Sequence, residues 1–122
     1  MAELDRILGE AQETHRLMQE AVKTSGDRAV RDIVRLRTRF ATLVAEMMGS
    51  IKADSRLQAK PDVAREFEAK FFEMRQALAA HQGKWRSVNI DEDPAGYRRA
   101  TDELGHKQDE FYAWAKSTLA GL

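Results

Sequence analysis

The sequence contains no cysteine, which excludes disulfide staples, thiolate metal sites and thiol catalysis, and is compatible with a reducing compartment. It has no apolar run approaching the roughly 20 residues that a membrane-crossing helix needs. Its first residues, MAELDRILGEAQ, alternate in polarity where a signal peptide would need a basic start and an apolar stretch. The expected location is therefore the cytoplasm, with no membrane attachment. Neither sign of charge prevails, since Lys plus Arg and Asp plus Glu are 20 each. No long-range field draws in nucleic acid or anionic lipid, so neither is an expected partner. Proline is scarce, with two in 122 residues, and strand-like alternation is nearly missing, which leaves helices as the means of burying a core.

Periodicity supplies those helices. Residues 27–51 place Val30, Ile33, Val34, Leu36, Phe40, Ala41, Leu43, Val44, Met47, Met48 and Ile51 over about half of a wheel drawn at about 100° per residue. So wide an arc suits a helix packed against two or three others. Before it, residues 2–23 carry Leu4, Ile7, Leu8, Ala11, Met18 and Val22 on one stripe. Thr24, Ser25 and Gly26 supply a tight turn, and Ser25 or Asp27 can cap the second helix. The apolar period fades by Ser55. A third helix is expected over residues 61–82, opened by Pro61 and striped by Val63, Phe67, Phe71, Met74 and Leu78, with Trp85 on the same stripe if the helix persists past Gly83. Residues 87–94, SVNIDEDP, read as an irregular loop. Asp93 before Pro94 is a start signal for a fourth helix, which carries Tyr97, Ala100, Leu104, Phe111, Tyr112, Trp114, Ala115 and Leu119 to a stop at Gly121. The predicted fold is all-α, an up-down-up-down antiparallel four-helix bundle forming one domain over residues 1–122.

Against that frame the polar residues fall into two groups. His15 and His81 lie on inner stripes and His106 on an outer face. In the predicted topology His15 and His81 differ in level by about 12 Å, too far to share a metal ion, so no metal and no cofactor is expected. Arg37 sits within the apolar arc of the second helix. Counted from the turn, it is level with His15. A guanidinium turned inward needs a carboxylate such as Glu13 or Glu103, carbonyls, or a bound anion, because an unpaired buried charge costs several kcal/mol; otherwise its head must snorkel to an edge. His15, Arg37 and His81 are thus the candidate ligand-binding residues. On the outer side Arg28, Arg31, Arg35 and Arg39 recur every three or four residues as a basic ridge, a candidate surface for a protein partner. Glu10, Glu13 and Glu20 are placed to neutralise part of it. Phe72 and Ala79, on the back of the third helix, are candidates for a homodimer contact.

The segment Ala80-His81-Gln82-Gly83-Lys84-Trp85, followed by His106, resembles the chemoreceptor zinc-binding domain. Ala80 stands where that family has its cysteine and Glu110 where it has a second histidine, so its zinc function is not implied. His106-x3-Glu110 is similar to part of the hemerythrin-like signature, and Glu103-x-x-His106 to half of the ferritin-like one, but three histidines cannot complete a di-iron site. Asp62-x-x-Arg65-Glu66 resembles a piece of the chorismate-mutase-like pattern without its upstream arginines. His81 with Lys84 three residues on resembles the histidine phosphotransfer domains, with Trp85 in place of a glycine. No nucleophile with its base, phosphate loop or full metal-ligand set is present. The expected function is therefore a non-enzymatic, regulatory protein-interaction module. The alternatives are a small-ligand or metal sensor using His15 and Arg37, and phosphotransfer.

Overall fold

The computed structural model describes residues 3–23 and 27–122, and the side chains of all of these except residues 27–30 and 87. Among the described residues there are six helices and no strand: α1 (Glu3–Val22), α2 (Asp27–Ala53), α3 (Ser55–Gln58), α4 (Pro61–Lys84), α5 (Ser87–Glu92) and α6 (Pro94–Ala120). The turn at residues 24–26, the capping proposed for Ser25 or Asp27, and the burial expected of Val30 lie outside the described residues.

The four long helices each pack against two others. α1 lies on α2 and α6, and α4 lies on the same two helices from the other side. Periodicity explains the packing: Leu4, Ile7, Leu8, Ala11 and Met18 of α1 meet Phe40, Leu43, Met47 and Ile51 of α2 and Phe67, Phe71, Met74 and Leu78 of α4 in one core. Each such side chain contributes roughly 1.5–3 kcal/mol of burial. Phe67 meets Phe111 of α6 edge-on at 6.0 Å, the favoured arrangement for aromatic quadrupoles. A second, smaller core of Val22, Ile33, Trp85, Ile90 and Tyr97 closes the end where α1 stops and α6 starts.

Three expectations need correction. Residues 87–94 are not an irregular loop: residues 87–92 form α5, held because Ile90 is buried in the small core. The stretch after Ser55 likewise contains a helical turn, α3, started by Asp54. Its carboxylate accepts from the backbone N–H of Arg56 at 2.9 Å and of Leu57 at 3.3 Å, while Arg56 donates to both Asp54 at 2.8 Å and Asp5 at 2.6 Å. That clamp ties α3 to α1. Finally, the buried arc of α2 is narrower than the wheel implies: Val34 is 40% exposed and Ala41 faces water. Elsewhere the start signals hold. Pro61 opens α4, and Asp93 caps α6 by accepting from the N–H of Gly96 at 3.0 Å.

Candidate functional site

The inner face of α6 runs Tyr97, Thr101, Gly105, Gln108, Tyr112, Ala115, Leu119, all buried and spaced by three or four as one face of a helix requires. Four of these carry hydrogen-bonding side chains. Gln108 and Tyr112 are 0% exposed, yet both amide atoms of Gln108 and the Tyr112 hydroxyl are without a hydrogen-bond partner. Thr101 Oγ1 is buried and unpartnered in the same way.

The other long helices bring polar groups to the same interior. From α1 comes His15, 2% exposed, its ring 6.4 Å from that of Phe40 and its Nε2 unpartnered. Gly105 makes room for it: a Cβ there would collide with Gln19 Nε2 and lie 3.2 Å from His15 Nε2. From α2 comes Arg37, half-buried, its guanidinium carbon 5.7 Å from the Tyr97 ring centre and its Nη2 buried without a partner. From α4 comes His81, half-buried and stacked on Tyr97 at 5.4 Å with 28° between the planes. The α6 residues beside His15 and His81, Gly105 and Tyr97, are eight residues apart, about 12 Å of helix rise.

Electrostatics keeps the set nearly uncharged apart from Arg37. Burial lowers the pKa of His15, against the smaller opposing influence of Asp109. His81 is pushed down to about 4, first by burial and then by the charges of Arg37 and His15. Burial raises both tyrosines above their ordinary value. For Tyr97 it outweighs Arg37 and Thr101, which come close to its hydroxyl without Arg37 Nη2 or Thr101 Oγ1 completing a bond of good geometry. Burial therefore holds His81 neutral at pH 7, favours the uncharged form of His15 and keeps both phenols protonated. Among the described residues no carboxylate lies within 4.0 Å of Arg37, so neither Glu13 nor Glu103 pairs with it, and no three His, Asp or Glu side chains converge where a metal could bind.

Of the arginine ridge, Arg31, Arg35 and Arg39 are exposed, while the side chain of Arg28 lies outside the described residues. Arg35 pairs with Asp32 on its own helix at 3.2 Å, and Arg39 reaches Glu10 of α1 at 4.0 Å. Glu13 and Glu20, expected to neutralise the ridge, pair instead with Arg16 on α1, because i,i+3 and i,i+4 neighbours on one helix are nearer than a facing helix. Phe72 is 44% exposed and His106 lies in solvent.

Thr101 and Gln108 were not identifiable as site residues from apolar periodicity alone, because each counts as a gap in the stripe. Spacings of three and four from Tyr97 to Leu119 put both on that face, but only their burial marks them as interior. No protein-family model, curated protein or solved structure matches the chain.

Proposed function

We propose that this chain is a single-domain, non-enzymatic regulatory protein that takes up a small polar ligand in its interior, between the helices carrying His15, Arg37, Thr101, Gln108 and Tyr112. One observation carries the reading: six buried polar atoms on these five side chains have no partner. Each such group costs about 1–3 kcal/mol when left unpaired, so together they would consume most of the roughly 5–15 kcal/mol by which a domain is stable. A small ligand that hydrogen-bonds the groups at one level of the interior removes that level's share of the cost. The test is thermal denaturation of the full chain with a panel of small polar molecules, compared with Gln108→Leu and Arg37→Met. Stabilisation of the parent protein that is lost in Gln108→Leu or in Arg37→Met supports the reading; no response to any member of a broad panel contradicts it.

The arrangement that would frame this site is an up-down-up-down antiparallel four-helix bundle. Its support is the order of cross-helix partners. Rising numbers on one helix meet falling numbers on its neighbour: Gln12 with Lys116 and Gln19 with Gly105 between α1 and α6, and Phe67 with Trp114 and His81 with Tyr97 between α4 and α6.

A second reading rests on the exposure of Arg31, Arg35 and Arg39: this face docks an acidic protein partner, and binding inside alters the docking. Charge reversal at Arg31 and Arg35 should then remove a partner from a pull-down while leaving ligand response intact. Unchanged capture would end it.

A further inference from the structure

Building on the reading of an interior ligand, we propose that the ligand is an organic monocarboxylate whose carboxylate is received by Arg37 and Tyr97. Arg37 carries a permanent charge beside Tyr97, and among the described residues no carboxylate of the chain is within ion-pair distance of it. Its Nη2 is buried and unused, a donor in a rigid planar fork that matches the two oxygens of a carboxylate. Tyr97 lies directly beneath the guanidinium at 5.7 Å, with a hydroxyl able to donate to the same anion.

The valence follows from the neighbours. His81, stacked on the Tyr97 ring at 5.4 Å and kept neutral by burial, adds no positive charge, and Lys84 Nζ lies over Trp85 instead, so at Tyr97 one guanidinium faces one negative charge. A dianion such as phosphate would keep an uncompensated charge in a poorly solvated place, at a cost of several kcal/mol. The surroundings decide between inorganic and organic. Tyr97 belongs to the small core of Val22, Ile33, Trp85 and Ile90, which offers contact to a hydrocarbon body and nothing to a hydrated ion. One turn further along α6, about 6 Å from Tyr97, the unpartnered Thr101 hydroxyl can meet a neutral polar substituent. Arg37 and His81 are both half-buried, so this level opens at its edge and a ligand can enter there.

The experiment is titration of the protein with acetate, benzoate, benzamide and phosphate at matched ionic strength and pH 8.5, where phosphate is a dianion, followed by calorimetry and by melting temperature. Benzoate should bind best, acetate more weakly, and phosphate should give no stabilisation. Arg37→Met should weaken benzoate about 100-fold, and Arg37→Lys about 10-fold because the charge remains without the fork. Should Arg37→Met not fold, the guanidinium Nε–H resonance of Arg37 in the parent protein must shift with benzoate. Phosphate binding as well as benzoate, or benzoate binding equally to folded Arg37→Met, overturns the proposal. If benzamide binds in a way that Gln108→Leu abolishes while no carboxylate does, the carboxylate assignment falls and the interior-ligand function stands. If none of the four binds and a broad panel also fails, both fall.

Discussion

Gln108→Leu separates stability from function most sharply. Gln108 is 0% exposed and both ends of its amide are without a partner, on a face whose neighbours Leu104, Phe111 and Tyr112 are themselves buried. Leucine has nearly the same volume and no polar atom. Removing an unpartnered carbonyl and amino group recovers about 1–3 kcal/mol for each, and the imperfect fit of the new side chain costs up to about 1.5 kcal/mol. The ligand-free variant should therefore be more stable than the parent by about 2 kcal/mol. For a chain of this size that is roughly 6–10 °C in melting temperature. Gln108→Glu should do the reverse and lose several kcal/mol, since an ionised carboxylate there has no partner. Urea melts of the purified ligand-free proteins at neutral pH read both differences. A leucine variant less stable than the parent by 1 kcal/mol or more, with the glutamate variant tolerated, would show that the amide is already satisfied and remove the reason for a ligand. A gain in stability accompanied by loss of ligand response is the trade expected when a site keeps polar groups for use and not for folding.

Asp54→Ala should cost about 1–2 kcal/mol in urea melts, because it removes the cap of α3 and leaves Arg56 with Asp5 alone; an unchanged midpoint would show that the clamp contributes nothing. Stability should fall as the pH drops from about 7 towards 4. His15 and His81 have folded pKa values below the ordinary 6.5, with His81 at about 4, so the unfolded chain takes up protons in that window that the folded chain refuses. The stabilisation is complete above about pH 6.5 and is lost as the pH falls, with a slope of at most about 1.4 kcal/mol per pH unit for each histidine, less for the partly exposed His81. His81→Gln should flatten the profile; a profile flat in the parent protein would contradict the burial of both rings.

The long helices were legible because burial imposes a period: Leu4, Ile7, Leu8 and Ala11, or Phe67, Phe71, Met74 and Leu78, repeat at the spacing of one helical face. The starts at Pro61 and Asp93-Pro94 were legible from side-chain chemistry. The short helices α3 and α5 were not, since 4 and 6 residues are too few to display a period. They form because Asp54 supplies a cap and because Leu57 and Ile90 find places in the core. Val34 shows a different loss. A wheel cannot tell the flank of an apolar arc that meets a neighbour from the flank that meets water. Of the site, His15, Arg37 and His81 could be read as polar residues on apolar stripes, whereas Thr101 and Gln108 are identified only when their burial is known.

The most direct test of the central claim is a crystal structure of freshly purified protein at a resolution that shows ordered water. It should show a non-protein molecule hydrogen-bonded to Arg37 and to at least one of Tyr97, Thr101 and His15. An interior in which these groups bond one another, or are each satisfied by ordinary water, would contradict that claim.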